Sequence, residues 1–233
     1  MSERFDGRVV LVTGGGEGIG RAAAVAFARL GATVVVAGRH PETLEGTVRQ
    51  ILDEGGKADS VVGEVSDATE GADVGAAHIV AETVRRHGAL HVAFNNTTEL
   101  GPHQSVADIS ESAWAQSLTA NLTGVWLSMK HEIAHMELAG GGVIVNTASN
   151  IGSQGMLPGL GAYAASTAAV SALTRTAAKE YFAKAIRINA ISPCPLGRGG
   201  SPEEIADTVV WLASDAAAYI VGHDLVLDRK TSV

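Results

Sequence analysis

The chain is short of several things, and each shortage closes a class of explanation. It holds one cysteine, Cys194, in 233 residues. A single thiol excludes an internal disulfide and fits a reducing compartment. Basic residues are outnumbered, with 17 Lys and Arg against 25 Asp and Glu, for a formal net charge of −8. That balance argues against a nucleic-acid surface or an anionic membrane surface as partner. The opening stretch MSERFDGR has no apolar core of a signal peptide. No apolar run approaches the ~18 residues of a membrane span, so the cytoplasm is the expected location. No repeat, low-complexity tract or linker breaks the chain, which reads as a single domain over 1–233.

What is present is apolar residue, at 46%, and glycine, at 28 positions. Short β-branched runs alternate with longer Ala-rich stretches. Strands are expected near Val9–Thr13, Thr33–Ala37, Ser60–Val62, Leu90–Phe94, Val143–Thr147, Ile186–Ile191 and Leu225–Leu227. Helices are expected near 18–30, 41–54, 70–87, 108–138, 160–183 and 202–213. Repeated β–α order predicts an α/β fold, a doubly wound parallel sheet covered on both faces.

The most specific stretch is VVLVTGGGEGIGRAAAVAFARLGATVVVAG. A buried strand runs into a Gly-rich turn from Thr13 to Gly20 and then into a helix. Glycines let backbone approach a pyrophosphate, and the helix N-terminus offers N–H groups to it. The second strand ends Ala37-Gly38-Arg39. An NAD site usually has an acid there for the adenosine ribose. Arg39 could instead meet a 2′-phosphate, although Glu17 puts a carboxylate in the phosphate loop. NADP or NAD is therefore the expected cofactor, with NADP preferred.

In GAYAASTAAV, Tyr163 and Thr167 sit four apart and share a helix face. A phenol beside a carbonyl can act as a general acid, but its ordinary pKa near 10 calls for a nearby cation. Thr167 is not one. Arg175 and Lys179 lie roughly 18 and 24 Å along the helix, out of reach, and Arg198 is the remaining substitute. HEIAH, from His131 to His135, has the form of a zinc-protease helix. No third ligand follows at a recognised spacing, so no metal site is assigned.

TGGGEGIG resembles the TGxxxGIG loop of the short-chain dehydrogenase/reductase family. The resemblance continues through FNNTTE, LTANLTGVW, IVNTASNIG, AYAAST, RINAISPCP and the C-terminal stretch from Pro202 to Asp228. It implies a Rossmann-type fold and an oxidoreductase reaction at a carbonyl or secondary alcohol. By this resemblance Ser149, Tyr163 and Asn121 are the catalytic residues, and Thr167 stands where the family has lysine. It places Thr13, Gly14, Gly16, Gly18, Ile19, Gly20, Arg39, Val65, Asn95 and Pro193 around the cofactor. In the family the lysine grips the nicotinamide ribose and lowers the Tyr pKa. A unit charge ~5 Å away at an effective dielectric of ~20 is worth about 3 kcal/mol, roughly 2 pKa units.

The chain departs from the pattern elsewhere too. Thr97 and Thr98 replace a small Ala-Gly turn, and Cys194 replaces the glycine after Pro193. The substrate lid between Cys194 and Ser201 is missing or much shortened, and Asp228-Arg229-Lys230 replaces a DGG ending. These losses imply impaired catalysis and a non-catalytic subunit paired with an intact relative. The alternative is a weakly active NADP-dependent oxidoreductase, and Thr167→Lys alone is expected to restore little without a lid. The shortened pattern is also similar to the dehydrogenase-like partner subunits of aminocoumarin antibiotic pathways. The 108–138 and 160–183 helices are the family's dimer surface. Ala165, Ala169, Ala172 and Thr176 at helical spacing predict a homo- or hetero-oligomer, which Ala169→Glu should break.

Overall fold

Seven short runs of β-branched and small apolar residues form one sheet. The structure, a computed structural model, describes residues 4–67, 75–153, 157–194 and 200–227. The strands are β1 (Val9–Thr13), β2 (Thr33–Gly38), β3 (Lys57–Val62), β4 (Val92–Asn95), β5 (Gly142–Thr147), β6 (Ile186–Pro193) and β7 (Asp224–Leu227). Their order is β3-β2-β1-β4-β5-β6-β7, and every pairing is parallel. β1 is buried along its whole length, as a strand covered on both faces must be.

The helices are α1 (Gly18–Arg29), α2 (Pro41–Asp53), α3 (Ala76–His87), α4 (Glu111–Leu118), α5 (Gly124–Ala139), α6 (Asn150–Ser153), α7 (Gly161–Tyr181) and α8 (Pro202–Ala213). α1, α2 and α8 cover one sheet face through a cluster that includes Phe27, Leu44, Ile51 and Val209. α3, α5 and α7 cover the other through Ile79, Ile133, Met136, Val170 and Ala178. α8 begins with a capping box, Ser201 with Glu204, which satisfies two otherwise orphaned N–H groups.

Two expected helices differ. The described part of the third starts at Ala76, and 70–74 lies outside the described residues. The long helix expected over 108–138 is broken. α4 gives way at Thr119–Thr123 to a π-turn before α5 begins. A π-turn adds a residue to the coil and re-aims the side chains within it, and here it turns Asn121 inward.

Among the described residues, no helix is long and apolar enough to cross a membrane. The strand order reverses between β1 and β4. In open α/β sheets ligands bind at that point, outside the carboxyl ends of the strands.

Candidate active site

A cleft of about 320 Å³ opens at this reversal. Its floor is the Gly-rich turn between β1 and α1. Gly14 and Gly18 have φ of +63° and +51°, a region that L side chains rarely adopt. A Cβ on Gly14 would lie 2.8 Å from the Asn96 carbonyl oxygen, and one on Gly16 would strike Thr43. The backbone here is therefore bare by steric necessity, as a phosphate cradle requires. Side chains hold the turn from behind. Thr47 Oγ1 donates to the Gly15 carbonyl at 2.9 Å, and Arg21 donates to the Gly16 carbonyl and, at 3.1 Å, to Thr47.

Of the residues expected around the cofactor, Gly14, Gly16, Gly18, Ile19, Arg39, Val65 and Pro193 line the cleft. Three others stand behind it. A Cβ on Gly20 would strike the Gly14 carbonyl, so this glycine serves close packing of the helix on the turn. Thr13 is buried, and its hydroxyl accepts from the Asn96 N–H at 3.1 Å. It staples β1 to the end of β4. Asn95 points away from the cleft because side chains alternate along β4; Asn96 faces the cleft in its place. The Asn95 amide donates to Glu132 and to Asn146, each at 3.0 Å. Asn146 in turn donates to Thr174 at 2.9 Å. This network ties β4, β5, α5 and α7 together beneath the cleft.

Glu132 lies wholly inside that network, and burial pushes its carboxyl up to about 8. His131 and His135 are half-buried on another face of α5. The HEIAH motif therefore does not bring its glutamate and histidines to a common ligand. Among the described residues, no group of three or more His, Cys, Asp or Glu is placed to hold a metal.

Arg39 forms ion pairs with Glu64 at 3.2 Å and Glu99 at 2.7 Å. Neither carboxylate is among the residues expected around the cofactor. They are 35 residues apart, and only the sheet order brings them together.

Asn121 is buried and fully engaged. Its amide oxygen accepts from the Glu99 N–H at 2.6 Å; its amide nitrogen donates to the Glu99 carbonyl at 2.9 Å and to Ser166 at 3.1 Å. It fixes the segment that follows β4.

Tyr163 lines the cleft, and Ser149 and Thr167 stand beside it. All three are buried. Ser149 follows β5 at the start of α6, and Tyr163 lies in the first turn of α7. Burial raises the Tyr163 phenol above its ordinary value; a hydrogen bond with Ser149 opposes that, and a charge interaction with Cys194 adds to it. No cation among the described residues acts on the phenol. A free Thr167 hydroxyl could have met a ribose. The structure gives it other partners, the Tyr163 carbonyl at 2.8 Å and the Ala164 carbonyl at 3.4 Å. Such back-bonding satisfies a buried hydroxyl within its own helix. Arg198, the lid segment at 195–199 and Asp228-Arg229-Lys230 lie outside the described residues.

Residues 8–200 match the family model for short chain dehydrogenases, and residues 194–229 match that for enoyl-(acyl carrier protein) reductases. The chain is a short-chain dehydrogenase/reductase. A cyclohexanol dehydrogenase from Acinetobacter sp. strain SE19 is 37% identical over 247 residues, spanning 98% of this chain and 96% of that protein. A short chain dehydrogenase structure from Mycobacterium smegmatis superposes with a TM-score of 0.91 at 33% identity, covering 99% of this chain and 95% of that one. A xylitol dehydrogenase structure with NAD+ bound gives 0.89 at 30% identity, covering 96% and 98%. The resemblance to aminocoumarin partner subunits finds no support among these relatives. In this short-chain dehydrogenase/reductase the bare glycine turn and Tyr163 line one cleft, with Ser149 hydrogen-bonded to the phenol.

Proposed function

We propose that this chain binds a nicotinamide dinucleotide and presents a carbonyl–alcohol site whose proton transfer is impaired at neutral pH. The observation that carries the reading is Tyr163. It is buried beside Ser149, while the hydroxyl of Thr167, at the lysine position, is spent inside its own helix. The glycine cradle and the helix N-terminus of α1 fit a pyrophosphate. When bound, the nicotinamide supplies or takes the hydride at the substrate carbon.

The chain's own contribution is the proton. Ser149 holds the substrate oxygen by hydrogen bonding. Tyr163 gives its proton to that oxygen in reduction and must take one in oxidation. A neutral phenol can do the first, although a less acidic phenol is a weaker donor. It cannot do the second until it ionises. Leu100, Pro102, Ile109 and Leu160 form an apolar wall beside Tyr163, which suits a small apolar ketone or secondary alcohol. The cyclohexanol dehydrogenase relative acts on a substrate of that kind.

The test is the pH profile of ketone reduction, with cyclohexanone and a reduced nicotinamide nucleotide. We expect kcat/KM to stay flat from about pH 6 to 9, because the acid form of Tyr163 persists across that range. A fall near pH 7–8 would mean that a cation acts on the phenol and would overturn the reading. The preference for NADP rests on Arg39, which is not free.

A second reading, a non-catalytic subunit that assembles with itself or with an intact relative, is favoured by one surface. On α5, Trp126 and Leu138 are exposed, and the Lys130 ammonium stacks on Trp126 at 5.7 Å. On α7, Ala165, Ala172 and Thr176 are exposed, while Ala169 is half-buried against its own chain. Ala172 is therefore the cleaner probe. Ala172→Glu should leave the fold intact and reduce an oligomer to monomers in light scattering, since an unpaired carboxylate at an interface costs several kcal/mol. A wild-type monomer at micromolar concentration would remove this reading.

A further inference from the structure

The ion pairs of Arg39 are a built arrangement rather than a chance surface contact. Arg39 follows β2 and Glu99 lies four residues beyond β4. β1 stands between those strands, so the side chains meet across roughly 10 Å of sheet, over the end of β1 where the glycine turn begins. The backbone that carries Glu99 and the carboxylate of Glu64 are each held independently of the arginine. The Glu99 backbone is pinned on both sides by the Asn121 amide, at 2.6 and 2.9 Å. The second oxygen of Glu64 accepts from the Ser66 N–H at 3.3 Å and hydroxyl at 2.9 Å. Arg39 therefore sits between two negative charges, one fixed at its carboxylate and one carried on a pinned backbone, with a third carboxylate, Glu17, on the same cleft. Half-exposed pairs of this kind add little to stability, so stability does not account for them.

We infer that Glu99 is a cofactor-selecting residue: with Glu64 it holds Arg39 across the cleft and so makes the chain prefer NAD(H) to NADP(H). The inference rests on the reading that this cleft takes a nicotinamide dinucleotide. A 2′-phosphate carries close to two negative charges. To use Arg39 it must displace a carboxylate already there, and it must lie beside both. An adenosine ribose with free hydroxyls meets no such repulsion. The carboxylates can accept hydrogen bonds from it, which restores by another route the acid that the end of β2 lacks.

Calorimetric titration with NADH and with NADPH tests this on the wild type, Glu99→Gln, Arg39→Ala and the double variant, with thermal melts to confirm folding. The wild type should bind NADH about tenfold more tightly than NADPH. Glu99→Gln should tighten NADPH about fivefold and change NADH less than about twofold, by freeing Arg39 and removing one like charge. In the Arg39→Ala background the same change should yield less than about twofold, because there is no arginine to release. Tighter binding of NADPH by the wild type overturns the inference, as does an unchanged NADPH affinity in Glu99→Gln. An equal gain with and without Arg39 does so too, since the effect would then be plain charge removal. In each of these cases the cleft remains a nicotinamide site. Failure of both nucleotides to bind overturns the cofactor reading and the inference together.

Discussion

Alcohol oxidation by the purified chain should rise about tenfold per pH unit from pH 7 to pH 10. Oxidation needs the Tyr163 phenolate to accept the hydroxyl proton, and below its pKa the ionised fraction of a phenol falls tenfold per unit. Burial holds that pKa above its ordinary value, and no cation among the described residues offsets it. The full span is therefore about 1000-fold. Thr167→Lys should move the whole limb down by about 2 pH units, the effect of a unit charge ~5 Å away; oxidation at pH 7 then gains about 100-fold over a very small base, while the plateau stays low because the substitution restores no lid. This shift isolates the missing charge from any missing substrate contact. A deficient lid keeps KM high at every pH, while the charge moves the pH at which the rate rises. Steady-state kcat/KM for cyclohexanol across pH 6–10, for both proteins, is the measurement. Oxidation that is already pH-independent near pH 7 in the wild type would overturn the impaired-site reading.

The second large effect concerns stability. Glu132 is fully buried and its carboxyl titrates at about 8, against an ordinary 4.5. The folded chain therefore holds a proton that the unfolded chain releases. Stability from this group is complete below about pH 4.5, declines as pH rises towards 8, and levels off above that. The loss is on the order of 5 kcal/mol over that window, or about 10 °C in melting temperature for a domain of this size. Glu132→Gln keeps the shape, stays neutral at every pH and keeps a donor or acceptor towards Asn95. Its melting temperature should be flat where that of the wild type falls, so the variant should be the more stable protein at pH 8. Scanning calorimetry from pH 5 to 9 decides, and parallel curves for the two proteins would refute the assignment.

The sequence was most legible where local pattern and global fold agree. The central strands and the glycine turn fall where β-branched runs and glycines predict them, because a strand buried on both faces leaves an unbroken apolar signature; β3, which carries Lys57 and Asp59 and is mostly half-exposed, begins three residues before the expected Ser60. Tyr163 lines the cleft, with Ser149 hydrogen-bonded to it. What was not legible depends on partners distant in the chain. Asn95 and Asn96 are chemically identical in a string of letters; only the pleat of β4 decides that one faces Glu132 and the other the cleft. The break at Thr119–Thr123 leaves no mark, since Thr, Ala, Asn and Leu suit a π-turn as well as an α-helix. The Arg39–Glu99 pair spans 60 residues, and no local periodicity encodes it. HEIAH misleads for the converse reason: its spacing is local, but its glutamate answers to a core assembled from β4 and β5.

The staples behind the glycine turn have a thermodynamic consequence. Flexible loops must be ordered when a ligand arrives, and that ordering is charged against affinity. Here Arg21, Thr47 and Thr13 hold the turn and its neighbouring strand end through bonds within the chain itself. The pyrophosphate end is thus preorganised, and docking a nucleotide there should carry little conformational-entropy penalty and little change in backbone protection from hydrogen exchange. If affinity for the whole dinucleotide is modest, the deficit is expected at the nicotinamide end, where Thr167 stands at the position of the lysine that grips the nicotinamide ribose in the family. A fragment such as ADP-ribose should then retain most of the binding free energy of the intact cofactor.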